Sequence, residues 1–134
     1  MMNLKIYSFL IISICGFLSC SRHRDLKKIK EDGYTVEANF VDGKIVDGKA
    51  SYYDNSGKLI NVTMYENGIR EGIAINYFPN NTVSDSVRYV CDKEHGYWSH
   101  YDSNGNKVYS NYYYFGLQYG PELIYEGNRL KKFL

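Results

Sequence analysis

The sequence predicts an all-β protein: an elongated antiparallel meander of stacked β-hairpins with a 24-residue period. The first observation is composition, because the chain has 15 tyrosines and six phenylalanines, and aromatic residues favour strands. The second is turn chemistry, since 12 glycines and many Asn and Asp residues supply tight turns whereas proline occurs only twice. The third is an internal repeat that runs through residues 33–134.

The repeat consists of columns of like residues spaced 24 apart. One column is glycine, a second is the tyrosine five residues later, a third is again tyrosine with Val41 one period before it, and a fourth holds turn residues. In that order the columns are Gly48, Gly72, Gly96 and Gly120; Tyr53, Tyr77, Tyr101 and Tyr125; Tyr65, Tyr89 and Tyr113; and Gly33, Gly57, Asn81 and Gly105. Such a period is typical of repeat proteins whose neighbouring units share one core.

Each unit is predicted to be a hairpin followed by a short connector. In the second unit GIAINYF is the first strand, PNNT the turn, VSDSVRYV the second strand and CDKEH the connector. Eight or nine such strands at about 4.8 Å spacing would form a sheet about 40 Å wide and a continuous aromatic layer. The recurring glycine is expected to let a neighbouring aromatic ring lie over the backbone.

The strand register stays open at this stage. Ile73, Ile75 and Tyr77 share one face of their strand, because side chains alternate along a strand. A second set, Ile60, Val62 and Met64, shares one face in the preceding unit. Whether the two faces coincide depends on a one-residue choice of register that turn length alone does not fix.

The first 19 residues are predicted to be a lipoprotein signal peptide. Lys5 precedes an apolar run that ends at residue 18, shorter than the roughly 20 helical residues that span a bilayer. The end of the run, FLSC, resembles a bacterial lipobox, which implies that Cys20 becomes the lipidated first residue. An ordinary secretory peptide and an uncleaved anchor are the alternatives. The expected location is the bacterial cell envelope, with a lipid anchor in the outer membrane.

Residues 20–32 are predicted to be the lipidated cysteine and a solvated tether before the repeat domain of residues 33–134. The basic cluster SRHRDLKKIK lies in this segment, and its second interpretation is contact with anionic lipid headgroups. Over the whole mature chain 15 basic residues balance 15 acidic ones, so the charge gives no indication of nucleic-acid binding.

Cysteine usage agrees with a lipoprotein and excludes a scaffold held by intramolecular disulfides. Cys15 would leave with the signal peptide and Cys20 would carry lipid, so Cys91 is the one thiol that remains. A lone cysteine in a strand is expected to pack as a small apolar residue, and we expect this of Cys91.

The segment EHGYWSHYDSNG, residues 94–105, has the composition of an active site but is predicted to be one copy of the repeat. Gly96 and Tyr101 belong to its columns, whereas the slots of His95 and His100 hold other residue types in the other units. A zinc site built on these two histidines would need further ligands, and the sequence offers no second cluster. We therefore expect no metal site, and His95→Ala and His100→Ala are each expected to change stability little.

No reaction is predicted for this chain. A Gly-rich phosphate loop, a nucleophile elbow and a repeated acid pair are all missing from the sequence. Asp85 and Glu94 are interpreted as single carboxylates without a matched partner, and catalytic groups need mutual geometry. We expect no catalytic residue and no cofactor.

The units DKEHGYWSHYDSNGNK and FGLQYGPELIY resemble MORN repeats (membrane occupation and recognition nexus). They are closer still to the bacterial variant in proteins labelled YwqK-type antitoxin components, whose units look like NGKxHGxWxxYxxNG. The resemblance covers residues 33–134; Thr82, Pro121, Arg129 and an insertion-like DGKIVDG at residues 42–48 depart from it. It implies a sheet of stacked hairpins with a binding or scaffolding role, and it implies no defined reaction.

The predicted function is that of a non-enzymatic surface lipoprotein whose repeat sheet presents tyrosine-rich faces to a protein, glycan or lipid partner. The tyrosine columns are expected to cover the sheet as its core. Aromatic residues outside the columns are the better candidates for a binding surface: Trp98, Tyr109, Tyr112 and Tyr114. The alternative is an antitoxin- or immunity-type protein that binds a toxin partner.

Overall fold

The computed structural model describes residues 25–134, so the predicted signal peptide and Cys20 lie outside the described residues. Thirteen strands form one antiparallel sheet: β1 (Asp25–Glu31), β2 (Tyr34–Val41), β3 (Lys44–Ile45), β4 (Gly48–Asp54), β5 (Leu59–Glu66), β6 (Ile69–Tyr77), β7 (Val83–Val90), β8 (Lys93–Glu94), β9 (Gly96–Tyr101), β10 (Lys107–Tyr114), β11 (Leu117–Gln118), β12 (Leu123–Glu126) and β13 (Arg129–Phe133). Within this part of the chain, no helix has the length and apolar character needed to cross a membrane.

The predicted all-β antiparallel meander is confirmed. Ten strands follow one another across the sheet in the order β1-β2-β4-β5-β6-β7-β9-β10-β12-β13, and the two-residue strands β3, β8 and β11 pair with β2, β7 and β10. All strand pairs with extensive contacts are neighbours in the sheet, so residues 25–134 form a single layer without a second layer of strands. Among the described residues the sheet begins at Asp25, inside the segment for which the sequence predicted a tether, and β1 pairs with β2 along its whole length.

The predicted connector CDKEH is a tight turn followed by the start of the next strand. Cys91 and Asp92 both have positive φ, 50° and 64°, as the two central residues of a type I′ turn do. Beyond the turn, Glu94 lies opposite Tyr89, so β7 pairs first with β8 and then with β9. The expectation that Cys91 packs in a strand is wrong, since the turn leaves this side chain exposed.

The glycine column marks the kink between the short and long parts of these strands. Gly48, Gly72, Gly96 and Gly120 have φ between 86° and 103°, a backbone region that residues with a Cβ rarely adopt. Apart from the chain neighbours of each glycine, no aromatic atom lies within 4 Å of the position that a Cβ would occupy at any of the four. The backbone conformation therefore favours glycine at these positions, and the ring over the backbone stays a prediction.

Strand register places the glycine column opposite the third column. Gly72 pairs with Tyr89, and the equivalent positions pair in the units before and after it. In the first unit, Phe40 occupies the position of the third column, and Val41 does not. Phe40 pairs with Ile45 in the same way that Tyr89 pairs with Glu94 in its own unit. The shift by one residue follows from the extra residue in the predicted insertion before Gly48.

The two tyrosine columns lie on opposite faces of the sheet. Face A carries Tyr65, whose hydroxyl is 3.1 Å from that of Tyr52, and face B carries Tyr53, whose hydroxyl points to Glu37 at 3.5 Å. The strand register also answers the question that the sequence left open. Val62 lies opposite Ile75, so the apolar sets of the two strands lie together on face B. The aromatic side chains therefore form two layers, one on each face, instead of one continuous layer.

The buried residues of the sheet are mostly small side chains, together with Val36 and Phe40 of β2, and the column tyrosines are not among them. On face A one buried residue from each of the strands β4 to β7 forms a row, because each lies opposite the next: Ala50, Thr63, Ala74 and Val87. On face B the buried residues are Ser51, Ser99 and Ser110. The column tyrosines are half-buried, and those of the third column flank this row on face A.

Backbone hydrogen bonds between neighbouring units recur with the same period as the sequence repeat. The carbonyl oxygens of Val46, Arg70 and Glu94 each accept from an amide 22 residues further on, at 2.8, 3.1 and 2.8 Å. The donors are the N–H groups of Gly68, Asp92 and Gly116. Each type I′ turn is thus bonded to the kinked strand of the preceding unit, which ties neighbouring units together.

At the opposite edge of the sheet, aspartate side chains accept hydrogen bonds from amides of the hairpin loops. Oδ1 of Asp54 accepts from the amides of Ser56 and Lys58, at 2.8 and 3.0 Å. Oδ1 of Asp102 accepts from the amides of Asn104 and Asn106 in the same way, at 2.9 and 2.8 Å. These local bonds hold the loops that carry the turn column.

Candidate functional site

A polar and aromatic cluster crosses face A at β7, β9 and β10. Asp85 lies opposite His100, which lies opposite Tyr109. Nδ1 of His100 contacts Oδ1 of Asp85. Oδ2 of Asp85 accepts a hydrogen bond from the Ser84 hydroxyl at 2.8 Å. The Tyr109 ring stacks on the imidazole at 4.0 Å and 18°. The interpretation of Asp85 as a carboxylate without a partner is therefore wrong.

Trp98, the one tryptophan of the chain, extends this cluster along β9. Its ring stacks on His100 at 5.4 Å and 21° and is tilted against Tyr113 at 5.8 Å. The indole Nε1 is buried and has no hydrogen-bond partner. The indole thus contacts two rings of the same sheet and packs on face A.

The His100 imidazole of this cluster contacts two aromatic rings. In a nucleophilic site a His–Asp pair orients the imidazole toward a hydroxyl or thiol within hydrogen-bond reach. The group that stacks on His100 is Tyr109, and burial, followed by the negative charge of Asp85, raises the pKa of this phenol. No group of three or more His, Cys, Asp or Glu residues within residues 25–134 could hold a metal ion.

A shallow groove of about 510 Å³ lies on face A beside this cluster. Several of its polar groups are already paired, since Nδ2 of Asn61 donates to Asn76 at 2.7 Å and the Thr63 hydroxyl donates to Asn61 at 2.8 Å. Its cation is paired too: Arg70 lies 4.0 Å over the Tyr89 ring and its Nε donates to Asp92 at 3.0 Å. The buried Nε1 of Trp98, which also lines the groove, has no such partner.

Face B carries a different feature, a cavity of about 360 Å³ lined by Tyr112, Tyr114 and Tyr119. Tyr114 is 56% exposed and Tyr119 is 72% exposed. Tyr119 reaches this place because the chain reverses between β10 and β11, and the Tyr119 amide then donates to the Tyr112 carbonyl at 2.7 Å. We call the cavity that these three residues line the tyrosine cavity.

Rings outside the tyrosine cavity hold two of its walls in place. Tyr97, opposite Tyr112 in the sheet, packs edge-on against it at 5.2 Å and 78°. Phe115 packs edge-on against Tyr114 at 5.0 Å, and His95 lies 5.4 Å from the same tyrosine. Such edge-to-face contacts restrict ring rotation and preform the cavity.

The structure divides the four aromatic candidates of the sequence between the two faces. Trp98 and Tyr109 lie on face A, joined through His100. Tyr112 and Tyr114 lie on face B and meet at the cavity. Sequence reasoning missed Tyr119, which no strand pattern connects to Tyr112, because the chain reverses at a two-residue turn between them.

No protein-family model matches the chain, and no curated protein sequence matches it significantly. The relation to MORN-like repeats stays a prediction from the repeat motifs alone.

Proposed function

We propose that this chain is a non-enzymatic binding module: a lipid-anchored envelope protein with MORN-like repeats that holds a partner on an aromatic surface of its sheet. The observation that carries the proposal is the tyrosine cavity on face B, where large rings are exposed around an open space. Exposed clusters of large apolar side chains on a soluble domain are typical of interaction sites.

Tyrosine suits this role for physical reasons. It offers a large contact area, loses little conformational entropy on binding and carries a hydroxyl that keeps the free surface soluble. The edge-on contacts of Tyr97 and Phe115 reduce that entropy further, because the cavity rings are held before a partner arrives.

Face A supports the fold better than it supports binding. Its aromatic and polar groups contact one another, and its buried row of small residues leaves the flanking tyrosines half-buried. A partner on face A would displace contacts that the free protein already makes, whereas a partner on the tyrosine cavity would add contacts.

A pull-down with the full-length chain from envelope extract tests the binding role. We expect a specific partner that Tyr119→Ala no longer retains, whereas Tyr34→Ala, which changes an exposed tyrosine on face A, retains it. Equal capture by both variants, with both folded as judged by circular dichroism, would contradict the assignment of binding to face B.

The proposed anchor is Cys20, which lies outside the described residues. Metabolic labelling with a palmitate analogue should mark the wild-type chain and Cys15→Ala, but not Cys20→Ala. Label that persists in Cys20→Ala would show that the chain is not lipidated at this residue, and the lipoprotein part of the proposal would fail.

A further inference from the structure

We propose that the tyrosine cavity binds a quaternary ammonium group, the cationic part of choline and of choline phospholipids. This inference rests on the proposed function, because it names the ligand of the same surface. It starts from how the other tyrosines of the sheet are used by the chain itself.

Four tyrosine rings elsewhere in the sheet lie under the chain's own cations. Arg70 lies 4.0 Å over Tyr89, and lysines lie 5.3 to 5.9 Å from the centres of three other rings. Those three pairs are Lys28 with Tyr53, Lys107 with Tyr101 and Lys107 with Tyr125. A cation over an aromatic face is attracted by the negative ring quadrupole.

The rings of the tyrosine cavity are among the tyrosines that have no such cation: within residues 25–134, no lysine or arginine lies over Tyr112, Tyr114 or Tyr119. These three tyrosines line one open space of about 360 Å³. A ligand can supply the cation for such a group of rings.

The lining indicates which kind of cation fits. A lysine-like ammonium or a guanidinium brings N–H donors that need carboxylate or carbonyl acceptors when they leave water. The described lining consists of three tyrosine side chains, which offer aromatic surface and phenol groups instead. A quaternary ammonium has no N–H group and is recognised by aromatic cages through charge and methyl contact.

The size of the cavity fits a small headgroup. A volume of about 360 Å³ lies at the lower end of the range for small-molecule sites, which is roughly 300–1,000 Å³. The exposure of Tyr119 leaves one side of the cavity open to solvent. A trimethylammonium group can therefore enter while the rest of the molecule, alcohol or phosphodiester, stays in water.

Calorimetric titration of the full-length chain with choline tests the inference. The matched control ligand is the uncharged carbon isostere of choline, in which a tert-butyl group replaces the trimethylammonium. We expect the isostere to bind on the order of tenfold more weakly, because it fills the same volume without the charge. Equal affinity for both ligands would show a merely apolar cavity and overturn the inference.

Protein variants give the second arm. Tyr119→Ala should lose choline binding and Tyr119→Phe should keep most of it, since phenylalanine retains the ring face. Tyr34→Ala, on face A, should bind as the wild type does. Melting curves show whether each variant is folded, and folded Tyr119→Ala that binds choline unchanged would also overturn the inference.

The source of the ammonium group is distinguished with vesicles and a full-length Cys20→Ser chain, which removes the expected lipid anchor. Binding to phosphatidylcholine vesicles but not to phosphatidylglycerol vesicles would assign the site to a membrane headgroup. Binding to soluble choline alone would assign it to a free metabolite. If neither binds while Tyr119→Ala still loses its partner in the pull-down, the inference fails and the proposed function stands.

Discussion

Gly72 lies directly opposite Tyr89 in the β6–β7 pair, with a backbone φ of 103°. The pairing of Gly48 with Tyr65 repeats this relationship one unit earlier. In each copy the glycine kinks its strand while the tyrosine on the neighbouring strand flanks the buried row of face A. One backbone requirement and one side-chain position thus recur together, which explains why both columns share a period.

Replacing these glycines should therefore cost stability through the backbone. Gly96→Ala should lower the free energy of unfolding by about 1–2 kcal/mol, since φ is 89° and the space around a new Cβ is open. Gly72→Ala should cost more, because its Cβ would also lie 3.3 Å from Cβ of Met64. Urea unfolding measures both, and Gly96→Asn is the control, as asparagine tolerates positive φ better than alanine.

A Gly96→Ala variant as stable as the wild type would contradict this account of the column. So would a loss that is the same for alanine and asparagine, because the difference between them isolates the effect of φ.

Periodicity predicted the fold, while register could not be predicted from the same signal. The strand VSDSVRYV was predicted with the bounds that β7 has, because turn residues flank it on both sides. The third column was misplaced to Val41 in the first unit, since one inserted residue before Gly48 shifts the phase and Phe40 takes the position. The faces of the tyrosine columns depend on the same register, which only the paired strands establish.

The site was predictable in part. Strand alternation places Trp98 and His100 on one face, so their contact was accessible to sequence reasoning. Pairing of His100 with Asp85 was not, because the partners lie on different strands whose register was open. The meeting of Tyr112 with Tyr119 depends on a chain reversal at a turn that contains Phe115, a residue type without a turn preference.

His100 is expected to matter for stability, in contrast to the expectation from its variable slot. His100→Ala removes the contact with Asp85 and the stacking surface of Tyr109, and it leaves a half-buried carboxylate without its partner. We expect a loss of about 1–3 kcal/mol in the free energy of unfolding. Asp85→Asn and the double variant complete a cycle in which the coupling should be about 0.5–3 kcal/mol.

His95→Ala is the matched control for that cycle, since this histidine lies in the same segment and has no contact with Asp85. A coupling between His100 and Asp85 near zero would mean that the two side chains are neighbours without an energetic link.

Acid should destabilise the fold through the loop aspartates. Hydrogen bonds from the side chain and then the backbone of Asn106 lower the pKa of Asp102 below its ordinary 3.8, and bonds from Ser56 and then Lys58 do so for Asp54. A carboxyl with a lowered pKa binds fewer protons in the folded state, so it stabilises the fold at higher pH. That contribution is lost as the pH falls below the ordinary value.

Asp102→Asn should therefore show a flatter dependence of unfolding free energy on pH between about pH 5 and pH 3 than the wild type. Urea unfolding at a series of pH values measures it, and Asp54→Asn combined with Asp102→Asn should flatten the curve further. Parallel curves for wild type and double variant would show that these loop bonds are equally strong with a neutral side chain.

Removing one whole unit should leave a folded protein. Deletion of residues 66–89 joins Tyr65 to Val90, so the turn of Cys91 and Asp92 takes the place of the turn that it replaces. Every remaining strand keeps its direction and its face. The loss should be the intrinsic stability of one unit and one interface between neighbours, as in a one-dimensional array.

Removing half a unit should be far worse, and this contrast tests the architecture. Deletion of residues 66–77 joins Tyr65 to Phe78. Tyr65 lies at the edge of the sheet that carries the two-residue turns, whereas Phe78 lies at the opposite edge, which carries the hairpin loops. The chain would have to cross a strand length of about 25 Å, or β7 would have to pair in the wrong direction. Either outcome leaves buried backbone groups unpaired at about 1–3 kcal/mol each. Circular dichroism and thermal melts compare the two deletions, and a half-unit deletion that folds as well as the full-unit deletion would refute the 24-residue unit.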